Sequence, residues 1–146
     1  MHAFPHLYQA SASAQPTSTV AVTSPGLSGL TTDAPAEFDG PGDLWSPETL
    51  LTAAVANCFI LTFRAIAKAS RFEWTSLDCR AEGSLDRVER VTRFTAFRVM
   101  AELHIPAGGD PEQAERLLHK AEKGCLITNS FVAETTLETR VIVGAG

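Results

Sequence analysis

The chain has 146 residues, 45% of them hydrophobic and 20% charged, and its twelve Lys and Arg against seventeen Asp and Glu leave a formal charge of −5. That is one ordinary domain's length, taken as residues 1–146, and it can bury a core without a disulfide framework or structural metal. The acidic balance and the lack of a Lys/Arg cluster argue against a nucleic-acid partner.

Met1 to Tyr8 has neither the basic start nor the long apolar run of a secretory signal, so the expected address is the cytoplasm. Residues 7–43 are rich in Ser, Thr, Pro and Gly, with alternating segments at Tyr8–Ala14 and Thr19–Thr23 that suit strands of a meander. The turn-rich Asp39-Gly40-Pro41-Gly42-Asp43 leads to a strong helix start: Ser46 as N-cap, Pro47 at the first helical position and Glu48 in the first turn. From there to about Ala69 the predicted helix is apolar on nearly every side. Its longest apolar stretch, Ala53 to Ile66, is broken by Asn57, Thr62 and Arg64 and falls short of the about 20 residues that span a bilayer, so no membrane partner is expected. A helix of this kind in so small a domain needs a sheet on one side and a second chain on the other, which predicts a two-fold homodimer.

Leu77, Cys79, Ala81 and Leu85 alternate with charged residues, as do Phe97, Val99, Ala101, Leu103 and Ile105, predicting a hairpin that turns near Val88–Thr92. Asp110 and Pro111 then start an amphipathic helix that ends at Gly124. Cys125 to about Val132 reads as a further short helix and Glu134–Val143 as a last strand with Leu137, Thr139, Val141 and Val143 on one face. Strands in runs, not in regular alternation with helices, give an α+β fold.

The chemistry-bearing candidates are thiols. Cys125, after the Gly that ends one helix and at the expected start of the next, is placed for a lowered pKa by the helix dipole; the other reading is a buried small hydrophobe. Cys58 sits mid-helix, either inert core or activated by groups from elsewhere in the fold. Glu48, ten residues earlier, is about 15 Å away along the axis and acts on Cys58 only through a third group. Cys79 lies on the apolar face of a strand and reads as core. His2, His6, His104 and His119 have no metal-ligand spacing with one another or with the cysteines, and no GxSxG, Walker-type or GxGxxG motif is present, so no metal or organic cofactor is expected.

Two segments go beyond generic pattern. Ser46-Pro47-Glu48-Thr49-Leu50-Leu51 leading to Ala53-Ala54-Val55-Ala56-Asn57-Cys58-Phe59 resembles the motif of the OsmC and Ohr family, the osmotically inducible and organic hydroperoxide resistance proteins. Lys120-Ala121-Glu122-Lys123-Gly124-Cys125-Leu126-Ile127-Thr128-Asn129-Ser130 is similar to that family's second-cysteine segment. The resemblance implies an intertwined α+β homodimer, with antiparallel sheets packed around a long central helix. It implies a thiol peroxidase with Cys58 as peroxidatic cysteine, Cys125 as resolving cysteine in a Cys58–Cys125 disulfide, and Glu48 as an orienting residue. The implied partners are a hydroperoxide, an organic one by preference, and a dithiol reductant of lipoyl or other thiol type. The sequence departs from the family where an arginine is expected before the Phe38-Asp39-Gly40 triplet, for Glu37 stands there. A carboxylate near a thiol raises its pKa. Three readings follow: another cation such as Arg64 substitutes, a donor such as Asn57 or a partner-chain group serves, or peroxide chemistry has been lost. The rival function is an inactive relative that binds a small hydrophobic ligand or senses redox state.

Overall fold

A computed structural model describes residues 1–145. The chain divides into two compact units, Met1–Leu50 and Leu51 onward. The first holds an antiparallel meander of β1 (Ser11–Ser13), β2 (Val20–Thr23) and β3 (Leu30–Thr32), in that order. The strand expected over Tyr8–Ala14 is therefore reduced to Ser11–Ser13, in its latter half. A 3₁₀ turn at Ala36–Phe38 follows, closed by Asp39 in the left-handed region (φ 63°). Gly40 then passes so close to the Ala34 carbonyl that a Cβ there would collide with it.

The start of helix α1 (Pro47–Ala69) is fixed by a reciprocal cap. The Thr49 N–H donates to Ser46 Oγ at 3.1 Å, and the Ser46 N–H donates to Thr49 Oγ1 at 2.8 Å. This satisfies two N–H groups that a helix start otherwise leaves without partners.

In the second unit, β4 (Ser76–Val88) and β5 (Val91–Ile105) form the expected hairpin. Its two-residue turn places both Glu89 and Arg90 at positive φ, 51° and 70°, the geometry that matches the right-handed twist of the flanking strands. Helix α2 (Pro111–Gly124) follows, capped as expected by Asp110, whose side chain accepts from the Glu112 N–H at 3.0 Å. Then β6 (Glu134–Val143) pairs with β5.

Two expectations are corrected. The sheet β4-β5-β6 is mixed, not antiparallel throughout, because β6 runs parallel to β5. The crossover through α2 is long enough to bring the chain back to the end from which β5 began, which no tight turn can do. The segment after Gly124 is also not an α-helix. Cys125 is extended (φ −68°, ψ 107°) and only Thr128–Ser130 make a 3₁₀ turn.

One face of this sheet carries Phe97, Val99, Ala101, Leu103 and Ile105, all buried, and α1 lays Val55, Phe59, Phe63 and Ala67 into the same core. Helix α2 adds Ala114, Leu117, Leu118 and Ala121. On β6, Thr135, Leu137, Thr139 and Val141 point inward while Val143 is exposed. The rings of Phe94, Phe97 and Phe131 stack in series at 5.0 and 5.2 Å. Gly83 makes room for them, since a Cβ there would meet the Phe97 and Phe94 rings at 2.8 and 2.9 Å. The stack anchors Phe131, and with it the end of the loop that follows α2. Taken whole, α1 is longer than its uninterrupted apolar run, and by length and composition it could cross a membrane: an 18-residue window has a mean hydropathy of 1.8, with 22% of that window buried.

Candidate active site

The local bonds of the loop after α2 decide where its backbone points. The Asn129 side chain donates to the Lys123 carbonyl at 3.1 Å, the Thr128 hydroxyl to the Cys125 carbonyl at 3.2 Å and the Ser130 hydroxyl to the Leu126 carbonyl at 2.9 Å. These bonds occupy carbonyls at the end of α2 and in the loop, and leave the Leu126 and Ile127 N–H groups to act on the sulfur of Cys58. Cys58 is half-buried on α1, between the buried Val55 and Phe59 and one turn before Thr62. Its Sγ lies 3.7 Å from Thr62 Oγ1, and the thiol of Cys125 is near enough to act on its ionisation.

The two thiols differ in character. Burial opposes ionisation of Cys58, but the Ile127 N–H, the Cys125 thiol, the Thr62 hydroxyl and the Leu126 N–H outweigh it, so its pKa lies below that of an ordinary thiol. For Cys125, burial prevails and raises the pKa. The Thr128 N–H and hydroxyl pull the other way, and the adjacent Cys58 sulfur pushes it higher. The pair therefore loses its first proton at Cys58, while Cys125 keeps its proton as a donor to the thiolate. Cys79, half-buried opposite Ala101, is pushed up to about 11, by burial first and by Cys125 second, in keeping with the core role read from the sequence.

All three cysteines are free. Cys58 and Cys125 are thus brought together, whereas Glu48 stays in the first turn of α1, ten residues up the helix. The local activation by a helix dipole that Cys125's position suggests does not arise. Cys125 caps the C-terminus of α2, its N–H on the Glu122 carbonyl, instead of opening a new helix, so no dipole lowers its pKa. Cys58 takes one donor, Thr62, from its own helix and the rest from a distant loop. Glu37 is exposed in the 3₁₀ turn of the first unit, and Arg64 and Asn57 are exposed on α1. Sequence reasoning missed Thr62, Leu126 and Ile127. The i, i+4 spacing of Cys58 and Thr62 signals a shared helix face, but Leu126 and Ile127 act through backbone and leave no mark in residue type.

Other groups are less suited to chemistry. Asp78, Glu102 and His104 bring possible metal-ligand atoms within 4.8 Å of one another on the outer sheet face. Glu102 there already pairs with His104 at 3.0 Å and with Arg140 at 3.8 Å. The void beside Cys125, lined by Val55, Phe59, Val99 and Thr128, is about 10 Å³, scarcely enough for one water.

Residues 40–140 match the family model of the OsmC-like proteins. The chain is 32% identical over 93 residues to the peroxiredoxin OsmC of Escherichia coli, a match that spans 64% of each protein. Among solved structures, an OsmC-like protein of unknown function from Vibrio cholerae superposes with a TM-score of 0.83 at 21% identity, over 92% of this chain and 99% of that one. An organic hydroperoxide resistance protein OsmC from Legionella pneumophila gives 0.74 at 25% identity, over 94% and 98%.

The ionisation order predicts that iodoacetamide modifies Cys58 ahead of both Cys125 and Cys79 in the folded protein. A lowered pKa keeps reactive thiolate present below the range of an ordinary thiol, so the Cys58 rate persists to lower pH than an ordinary thiol's and falls as pH drops through its own pKa. Mass-mapped alkylation against pH checks this, and equal rates at Cys58 and Cys125 would contradict it.

Proposed function

The chain belongs to the OsmC-like protein family, whose membership implies a redox or peroxide-related function, and we propose that it is a thiol peroxidase that reduces hydroperoxides through Cys58 and Cys125. The observation that carries this reading is the contact of two free thiols of opposite character, one favoured as thiolate and one held protonated.

In the proposed cycle the Cys58 thiolate attacks the terminal oxygen of ROOH. The sulfur supplies two electrons, the O–O bond breaks, Cys58 becomes a sulfenic acid and the alkoxide leaves, protonated to the alcohol. The sulfur of Cys125 then attacks Cys58. The S–S bond forms as hydroxide departs and, with the proton from Cys125, leaves as water. A dithiol reductant reopens the disulfide by two exchange steps, restoring both thiols and taking up the oxidation itself. No organic cofactor or metal enters this scheme. Glu48 is assigned an orienting role from the first turn of α1, where its charge also complements the helix dipole.

Organic hydroperoxides are the proposed substrate class. The name of the Legionella relative points the same way, and apolar side chains flank the thiol along α1, with Leu51 half-buried and Leu61 exposed. The binding-module reading finds little room beside Cys125, where the void is about 10 Å³; a cavity of about 490 Å³ lies elsewhere, rimmed by the charged Asp78, Arg80, Glu102, Glu138 and Arg140. A second copy of the chain is the proposed partner for α1, because so apolar a helix with 22% of its window buried exposes surface that water disfavours. The proposed compartment is the cytoplasm, where thiols stay reduced.

Steady-state assay with cumene hydroperoxide and a dithiol reductant tests the function. Turnover is expected for the wild type and none for Cys58→Ser. Cys125→Ser is expected to consume about one equivalent of peroxide and stall with a sulfenic acid that dimedone traps. Wild-type protein that leaves peroxide unconsumed would reject the proposal. The proposed dimer predicts a solution mass near twice 15.6 kDa by light scattering, and a mass of a single chain would remove it.

A further inference from the structure

A threonine inside a helix ordinarily turns its hydroxyl onto the carbonyl four residues back. The residue four back from Thr62 is Cys58, and the hydroxyl lies 3.7 Å from the Cys58 sulfur. On its other side the Thr62 methyl faces the end of α2, where a Cβ added to Gly124 would make ordinary contact with Thr62 Cγ2 at 3.4 Å. Thr62 thus lies between Cys58 on α1 and the residue that precedes Cys125. We propose that Thr62 is a positioning residue for Cys58, its hydroxyl, one helical turn on, donating to the thiolate.

This deepens the peroxidase reading, and its bearing on catalysis rests on that reading, but the hydrogen bond is a property of the resting thiol. The hydroxyl lowers the pKa of Cys58 together with the Ile127 and Leu126 amides and the Cys125 thiol. It differs from the amides in being open to substitution without changing the backbone.

Two near-isosteric variants separate a donor from a packing residue. Thr62→Val keeps the branched shape and loses the hydroxyl, while Thr62→Ser keeps the hydroxyl and loses the methyl. The readout is the iodoacetamide rate at Cys58 against pH, mapped by mass, on full-length reduced protein whose folding is verified by circular dichroism. No peroxide is involved, so failure of the peroxidase reading and failure of this proposal give different results: the first is absence of wild-type turnover, the second an unmoved titration. The expected result is a shift of the Thr62→Val profile to higher pH with a roughly three- to tenfold lower rate at pH 7, and a Thr62→Ser profile that follows the wild type. Should Thr62→Val fail to fold, Thr62→Ala takes its place against Thr62→Ser with the same expectation. A Thr62→Val profile that coincides with the wild type, or a Thr62→Ser profile shifted as far as the hydroxyl-free variant, would overturn the proposal and leave Thr62 a packing residue.

Discussion

The N–H groups of Leu126 and Ile127, which favour the thiolate of Cys58, are what the rest of the site depends on. A half-buried thiolate is costly unless donors replace the water it has lost, and α1 alone provides only Thr62. The amides are available because α2 stops at Gly124 and Cys125 turns extended, so that the next residues leave the helix. Side chains of Asn129, Thr128 and Ser130 hold that turn from within. Phe131, stacked on Phe97, fixes its far end to the sheet. The space for that stack comes from Gly83 on the neighbouring strand. A chain of packing contacts thus runs from the sheet core to the hydrogen bonds on one sulfur atom.

The same arrangement divides labour between the two thiols. Cys125 is buried at the end of α2 and favoured as the protonated thiol, which suits it to support the Cys58 thiolate as a donor before its proposed role as the nucleophile toward Cys58. Cys79, pushed up to about 11, is poorly ionised near neutrality and stands apart from the exchange. Three cysteines of one chain are in this way given three different reactivities by backbone donors and burial.

What the sequence discloses is chiefly what is local. Ser46, Pro47 and Glu48 place the start of α1, Asp110 and Pro111 that of α2, and the alternation around Phe97 to Ile105 the buried face of β5, because each signal lies within a few residues of its effect. The motif resemblance places both cysteines. The parallel pairing of β6 is not legible, since its alternation is the same whichever way the strand runs. The segment after Gly124 misleads because Leu126 to Ser130 suit a helix locally, while side-chain bonds to the end of α2 and the stacking of Phe131 enforce a turn. That misreading also suggests a dipole-lowered pKa for Cys125, for which the helix N-terminus that would have supplied it is not formed. Glu37, in the place of the family's arginine, sits exposed in the first unit, while the donors to Cys58 come from α1, Cys125 and the two amides after it.

The pairing of Cys58 with Cys125 as a redox couple is tested most directly by counting free thiols, through alkylation and intact mass, before and after one equivalent of cumene hydroperoxide, in the wild type and in Cys58→Ser. The proposed couple predicts rapid loss of two thiols in the wild type as a Cys58–Cys125 disulfide, Cys79 remaining free, and no loss in Cys58→Ser. Three thiols that stay free in the wild type while the peroxide persists would contradict it.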